Sequence, residues 1–267
     1  MISTRNTLFA AFAVLTTMSS AEPFLVAHRG ASHDAPENTL PAFKLAWEQG
    51  ADAIEGDFHL TKDGKIVCTH DYDTKRVSGT KKIVKNSTLA ELQALDAGAW
   101  FKPEFKGTHF PTLLDVTATI PAGKKIYIEV KCGPEILPAM LEDLAESGLA
   151  AEQIVVISFN APVIRELEKL RPEFRTCWLS SFEKKSPLDP SSDDVLKTVR
   201  EIKADGFSSK ADSRLDSDFI NKIRDAGIEY HCWTVDSPET ADRFLKLGAM
   251  SITTNRPEFL RQSLTAE

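Results

Sequence analysis

The chain has 267 residues, of which 42% are hydrophobic, and its 32 lysines and arginines against 39 aspartates and glutamates give a formal net charge of −7. This length suits one large α/β domain with its own core. The acidic balance argues against a nucleic-acid-binding protein, so an anionic ligand would have to be attracted by cations gathered locally.

The N-terminus has the pattern of a secretory signal. Arg5 supplies a positive charge, residues 8–15 are largely apolar, and the run from Ser19 to Ala21 offers small side chains for cleavage. The apolar run is shorter than a membrane span requires. We therefore expect residues 1–21 to be a signal peptide and residues 22–267 to form one mature domain without a membrane span, exported to the periplasm or the cell exterior. An uncleaved anchor is the alternative.

After this segment, short apolar runs typical of β-strands alternate with segments in which apolar residues recur every three or four positions, as in amphipathic helices. About eight repeats of this alternation predict a parallel (β/α)₈ barrel, the TIM-barrel class. A doubly wound open sheet is the alternative, although no Gly-x-Gly-x-x-Gly motif follows the first run. The predicted strands are 24–28, 52–58, 125–131, 153–158, 174–179, 204–208, 228–234 and 250–253.

Charged side chains lie in or directly after four apolar runs, where a buried strand should be apolar. Ionised groups in such places are costly unless they pair, bind a metal or take part in chemistry. Because active sites of barrels form at the carboxyl ends of the strands, these residues predict one convergent polar site. They are His28 and Arg29, Glu55 and Asp57, His70, and Glu129 and Lys131.

The segment between Asp57 and His70 is too short for a parallel crossover, and its Asp63-Gly64 pair favours a β-hairpin. If these two residues form the turn, Asp57 faces His70 and His59 faces Cys68. The hairpin would then gather two carboxylates and a histidine on one face. Residues 72–111 fit the barrel rhythm poorly and predict a small insertion over the barrel mouth, after this hairpin.

Three of these residues, Glu55, Asp57 and Glu129, are oxygen donors near the ends of consecutive strands. Ordinary ion pairs are the alternative for any one of them, but together they would repel one another unless a cation lay among them. Oxygen-only ligation favours Ca²⁺ or Mg²⁺. A zinc ion held by carboxylates with His28 and His70 is the less favoured alternative.

The remaining candidates suit an anionic substrate. His28 and His70 could act as proton donor and acceptor on opposite sides of a reacting centre. Arg29 offers a planar fork that matches phosphate and Lys131 a point charge, unless both only neutralise the neighbouring acids. Trp233 either caps the core or forms a wall of the pocket. Phosphoryl transfer fits this set best.

The chain resembles the glycerophosphodiester phosphodiesterases along nearly its whole predicted mature length. The matching motifs occur in the correct order, and their combination is far more specific than any one of them. They are His28-Arg29-Gly30, Pro36-Glu37-Asn38-Thr39, Glu55-Gly56-Asp57, His70-Asp71, Ile128-Glu129-Val130-Lys131, Cys232-Trp233-Thr234-Val235 and Ile252-Thr253-Thr254-Asn255-Arg256-Pro257. Asn255 departs from the pattern, because aspartate is frequent at its position.

The resemblance implies a barrel with a small insertion after the His70-Asp71 pair, and hydrolysis of glycerophosphodiesters to glycerol 3-phosphate and an alcohol. In this family the glycerol 2-hydroxyl is thought to attack first, giving a cyclic phosphate that water then opens. The implied site has a divalent metal at three carboxylates, two histidines as general acid and base, and two cations near the phosphate. These are Glu55, Asp57 and Glu129, then His28 and His70, then Arg29 and Lys131.

Two other functions stay open at this point. One is a phospholipase D-like enzyme of the same broad fold that acts on lysophospholipids or sphingolipids. The other is a non-catalytic protein that binds a phosphate ligand in the same pocket, although such a protein would need no acid/base pair of histidines. The sequence leaves the oligomeric state and the roles of the individual histidines in each step undetermined.

Overall fold

The computed structural model describes residues 22–184 and 188–265, which form a closed barrel of eight parallel strands with helices outside it. The predicted signal at 1–21 lies outside the described residues. One strand, β3, pairs antiparallel with β2, and β1 pairs with both β2 and β9, which closes the sheet. The (β/α)₈ prediction is confirmed, and the open doubly wound sheet is wrong. The strands are β1 (Leu25–His28), β2 (Ala53–Leu60), β3 (Ile66–Cys68), β4 (Lys125–Val130), β5 (Ile154–Ser158), β6 (Arg175–Ser180), β7 (Gly206–Lys210), β8 (Glu229–Trp233) and β9 (Ser251–Thr254).

Several helices begin at a side-chain cap that the sequence supplies. Thr39, Ser191 and Ser237 each accept a hydrogen bond from the backbone N–H three residues further on. Every helix in the described ranges is too short or too polar to span a lipid bilayer. The helices are α1 (Leu40–Glu48), α2 (Lys75–Ser78), α3 (Leu89–Gln93), α4 (Leu113–Thr117), α5 (Leu137–Ser147), α6 (Ala161–Leu170), α7 (Ser192–Ile202), α8 (Ser217–Asp225), α9 (Pro238–Lys246) and α10 (Pro257–Thr265).

The pleat of the strands carries the polar residues to the barrel axis. In β2, Ile54 and Phe58 pack in the core between the strands and the helices, whereas Ala53 lies in the separate core inside the barrel. Because successive side chains point to opposite faces, Glu55 and Asp57 share the inward face with Ala53. The same alternation turns the inward positions of β1 and β4 to the axis, so polar groups collect at the carboxyl ends of these strands.

The hairpin between β2 and β3 forms, but the predicted register is wrong by one residue. The backbone N–H of Thr69 donates to the carbonyl of Asp57 at 2.9 Å, so Asp57 does not face His70. Likewise, His59 faces Val67 instead of Cys68. His70 therefore reaches the site from the segment that follows β3, and its position does not depend on the strand pleat.

The turn itself explains this shift of register. It contains three residues, 62–64, because Thr61 donates its backbone N–H to the carbonyl of Lys65 at 2.8 Å. Gly64 adopts the left-handed conformation with φ of 72°. A third residue in the left-handed region is typical of three-residue hairpin loops, whereas our prediction assumed a two-residue loop.

The chain between β3 and α4 forms a small structure with its own apolar core. β3 serves both cores, because Ile66 and Cys68 face the barrel side while Val67 belongs to the core of this segment. The segment returns beside β3, where Cys68 donates its N–H to the carbonyl of Pro111 at 2.8 Å and Val67 bridges Thr112. The core of this segment consists of Val67, Val77, Val84, Leu92, Ala97 and Phe110.

Candidate active site

A cleft of about 120 Å³ opens among the carboxyl ends of the barrel strands. Seven of the eight site residues predicted from the sequence line this cleft, and Asp57 is buried beside it. Apolar and weakly polar side chains from the other strands complete its wall. The predicted residues in the lining are His28, Arg29, Glu55, His70, Glu129, Lys131 and Trp233, and the others are Tyr127, Ile157, Phe159, Leu179, Ser208 and Thr253.

Three buried carboxylates come together at one side of the cleft. The register of β2 and β4 places Asp57 directly beside Glu129, and Glu55 precedes Asp57 on the same face. One oxygen from each of the three carboxylates lies within 4.8 Å of the other two. This set contains oxygen donors without a histidine, in agreement with the preference for a hard divalent cation over zinc.

The charges at this side of the cleft are unbalanced. Burial, with repulsion from Asp57 and Glu129, raises the pKa of Glu55 well above its usual value. Burial and Asp57 also raise the pKa of Glu129 to about 7. Burial opposes ionisation of Asp57 as well, but Arg29 and Lys131 outweigh it and lower the pKa of Asp57 to about 2. Full ionisation of the three acids therefore requires further positive charge nearby.

The hydrogen bonding of the carboxylates also fits a bound cation. Glu55 Oε2 accepts from the backbone N–H of Arg29 at 2.9 Å, and Asp57 Oδ2 accepts from Asn38 Nδ2 at 2.7 Å. The other oxygens, Glu55 Oε1 and Asp57 Oδ1, are buried and accept no hydrogen bond in the described structure, although the Lys131 ammonium lies 3.4 Å from Asp57 Oδ1. Buried oxygens without a partner are costly, and carboxylate oxygens are the preferred ligands of Ca²⁺ and Mg²⁺.

The two predicted phosphate-binding cations are held by these acids while they line the cleft. Arg29 Nε lies 3.2 Å from Asp57 Oδ2, and Arg29 Nη1 lies 3.0 Å from Glu37 Oε1. Lys131 Nζ lies 2.7 Å from Glu129 Oε1 and 3.4 Å from Asp57 Oδ1. The ion-pair interpretation and the site interpretation are thus compatible, because the same contacts fix both cations at the wall of the cleft.

The hydrogen bonds of His28 define which ring nitrogen carries its proton. Asn255 Nδ2 donates to the Asp236 carboxylate at 2.7 Å, which can only accept, so Asn255 Oδ1 must point to His28 Nδ1, 2.7 Å away. Nδ1 of a neutral His28 is therefore protonated and Nε2 carries the lone pair. Burial, together with Arg29, lowers the pKa of His28 to about 4, so the ring is neutral near pH 7.

His70 has a charged partner instead. Its Nδ1 lies 2.7 Å from Asp71 Oδ1, and the other oxygen of Asp71 accepts from Arg76 Nε at 2.7 Å. Arg76 also makes a two-point contact with Glu37, at 2.7 and 2.8 Å, and Glu37 pairs with Arg29. A continuous network therefore connects His70 to Arg29, and the His70 ring is held through Nδ1 with Nε2 as its remaining nitrogen.

Trp233 lines the cleft and also packs against the apolar core inside the barrel. Its indole N–H donates to the carbonyl of Ser208 at 3.3 Å, and its ring meets that of Phe159 edge to face, with 5.6 Å between centroids. Two aromatic rings thus form part of the wall of the cleft, and that of Phe159 lies beside Lys131.

Sequence reasoning assigned no role in the site to three residues that position it, although Asn38 and Asn255 lie in the matching motifs. Asn38 holds Asp57 from two sides, donating to its side chain and accepting from its backbone N–H at 3.1 Å. Its φ of 57° is an uncommon conformation that asparagine tolerates. The side chains of Asn38 and Asn255 are neutral, so burying them does not carry the large free-energy cost of burying a charge. A search for charged residues in apolar runs therefore could not detect them. Arg76 escaped because it lies in the segment after β3.

Comparison with known proteins agrees with this geometry. The sequence profile of the glycerophosphoryl diester phosphodiesterase family matches residues 28–259. A glycerophosphodiester phosphodiesterase of Caldanaerobacter subterraneus subsp. tengcongensis is 32% identical over 243 residues, which cover 88% of this chain and 95% of the relative. One from Bacillus subtilis is 31% identical over 254 residues, covering 89% and 85% of the two chains.

A solved structure is similar over the same length. A phosphodiesterase of Oleispira antarctica, determined in complex with the product sn-glycerol-3-phosphate, aligns with a TM-score of 0.83 and 26% identity, covering 91% of this chain and 97% of that one. The motifs, the barrel and these relatives lead to one conclusion. The chain belongs to the glycerophosphoryl diester phosphodiesterase family.

Proposed function

We propose that this protein hydrolyses glycerophosphodiesters to glycerol 3-phosphate and an alcohol. The observation that carries the proposal is the convergence of three buried carboxylates, two cations and two histidines on one small cleft. The names of the curated relatives and the product bound to the Oleispira neighbour support the same reaction. A protein that only binds phosphate would not need two oriented imidazoles at this cleft.

We propose that Glu55, Asp57 and Glu129 hold a divalent cation, Ca²⁺ or Mg²⁺. Two observations support this proposal. The raised pKa of Glu55 shows that negative charge is not fully balanced at the three carboxylates, and two of their buried oxygens accept no hydrogen bond. Such an ion, when bound, supplies positive charge that stabilises negative charge developing on the phosphoryl oxygens. Arg29 and Lys131 line the same cleft and would bind the phosphate beside it.

The two histidines have different partners, which suggests different roles. Neutral His28 carries a lone pair on Nε2, so it can take the proton of the attacking hydroxyl group. Asp71 orients the His70 ring through Nδ1, so a protonated His70 can give its Nε2 proton to the leaving alcohol oxygen. The P–O bond to the alcohol then breaks, and a neutral alcohol departs. When water opens the cyclic phosphate, His70 would take a proton from the water and His28 would give its proton back, so both rings would regain their initial protonation.

The direct test incubates the purified protein and the divalent metal with glycerophosphocholine and measures released glycerol 3-phosphate and choline. We expect both products in equal amounts. Lysophosphatidylcholine serves as the competing substrate. Choline released from lysophosphatidylcholine alone would favour the phospholipase D-like function, and binding without turnover of either compound would favour a phosphate-binding protein.

The assignment of His28 as the base predicts a pH effect. Exchanging the amide and the carboxylate in an Asp236→Asn, Asn255→Asp double variant keeps the net charge but places a carboxylate beside His28. That carboxylate stabilises the imidazolium and raises the pKa of His28. His28 can act as a base only when its ring is neutral. Because the pKa of His28 is higher in the double variant, its activity will fall at a higher pH than that of the wild type. We expect the acidic limb of the kcat/KM profile to move up by about one pH unit. An unchanged limb would reject His28 as the base.

A further inference from the structure

We propose that a second cavity beside the cleft, the lateral pocket, binds the alcohol headgroup of the substrate and prefers headgroups that carry a phosphate or a carboxylate. This inference rests on the proposed function and adds the substrate class. The lateral pocket has a volume of about 800 Å³ and is bounded by the ends of β4 and β5, the hairpin turn and the segment after β3.

The position of the lateral pocket makes it the natural continuation of the cleft. Glu129, Lys131 and Phe159 line both cavities. The cleft, at about 120 Å³, is far below the roughly 300–1,000 Å³ of ordinary ligand sites, so it holds only part of a diester. A phosphate at Lys131 would therefore have one ester arm in the cleft and the other in the lateral pocket.

The rim of the lateral pocket carries an excess of positive charge. Lys62 from the hairpin turn and Lys85 from the segment after β3 are both exposed, and neither pairs with a carboxylate in the described ranges. The other charged groups of the lining are Lys131, which pairs with Glu129, and Glu135, whose side chain accepts from the backbone N–H of Gly133 at 3.1 Å. The lining therefore has three lysines and two glutamates. Two unpaired ammonium groups in an acidic protein form a local anion-attracting field.

The aromatic residues of the lateral pocket do not form a cage for a quaternary ammonium group. Lys131 Nζ already lies 6.0 Å from the centroid of the Phe159 ring. The Tyr72 ring meets His59 edge to face, with centroids 5.3 Å apart. A choline headgroup would thus find one ring near an ammonium group and two further lysines at the rim, whereas an anionic headgroup would find three lysines against two glutamates.

The experiment compares two substrates that differ by one phosphate group on the inositol ring, glycerophosphoinositol and glycerophosphoinositol 4-phosphate, with glycerophosphocholine as a third. We expect kcat/KM for the phosphorylated substrate to exceed the other two by roughly three- to tenfold at low salt, and the preference to shrink as ionic strength rises. In the Lys62→Glu, Lys85→Glu double variant the ratio of kcat/KM values should fall to one or below.

A Lys44→Glu, Lys197→Glu double variant is the matched control, because it changes the net charge equally at exposed positions outside both cavities. Its ratio should equal that of the wild type. Single alanine variants of Lys62 and Lys85 provide the test if the double reversal fails to fold. Equal turnover of all three substrates, or a preference for choline, would overturn the headgroup inference and leave the proposed function standing. Turnover of none would overturn the proposed function itself.

Discussion

Replacing either His28 or His70 with alanine will lower kcat by about 10²- to 10⁴-fold, the usual contribution of a positioned acid or base. Each imidazole lines the cleft and is oriented through Nδ1, by Asn255 for His28 and by Asp71 for His70. Alanine removes the only group at its position able to carry the proton. The double variant should be little worse than either single variant, because the two rings act in one proton-transfer sequence.

Steady-state kinetics on glycerophosphocholine checks this result, with far-ultraviolet circular dichroism to show that the fold is kept. His109→Ala is the control, since His109 is exposed and lies outside both cavities. We expect it to retain wild-type kcat. Near-normal turnover in His28→Ala or His70→Ala, with an intact fold, would show that the acid/base assignment is wrong.

Thorough chelation will remove nearly all turnover, and added Ca²⁺ or Mg²⁺ will restore it. Without a cation, the three buried carboxylates repel one another, and the pKa of Glu129 rises to about 7. They are Glu55, Asp57 and Glu129. Glu129→Gln keeps the shape of the side chain but removes one charged ligand. We expect this variant to lower metal affinity by at least about tenfold, because every ligand charge contributes to binding of a hard cation.

Isothermal titration calorimetry with each metal measures this affinity without reference to catalysis. Glu142→Gln, an exposed change on α5, is the matched control and should titrate like the wild type. Turnover that survives complete chelation would remove the metal from the proposal. An unchanged titration of Glu129→Gln would reject Glu129 as a ligand while leaving the other two carboxylates to be tested in the same way.

Much of the barrel and its site could be predicted because strand periodicity is a strong signal. Glu55, Asp57 and Glu129 interrupt apolar runs. The free-energy cost of burying a carboxylate is large, so their positions indicate a functional role. Parallel strands bring their carboxyl ends to one edge, so residues far apart in sequence, such as His28 and Trp233, could be assigned to one place without knowledge of individual contacts.

The finer geometry could not be predicted, for physical reasons. The choice between a two- and a three-residue loop depends on the backbone conformation of Gly64, and this choice moved the register by one residue. Asn38 and Asn255 are neutral, so their burial gives no charge signal. Arg76 reaches Glu37 across 39 positions of the sequence, through a segment whose folding depends on its own small core.

Strand β3 packs against two cores, and this limits which changes to the following segment the protein can tolerate during evolution. One face of β3 packs on the barrel side, and Val67 on its other face belongs to the core of the following segment. Deleting that segment would expose Val67 and remove its bridge to Thr112, so loss of the whole segment is costly. Exchanges at its surface, such as at Lys85, leave this core intact. New alcohol specificities are therefore open to selection by point substitution, with the reaction chemistry conserved on the strands.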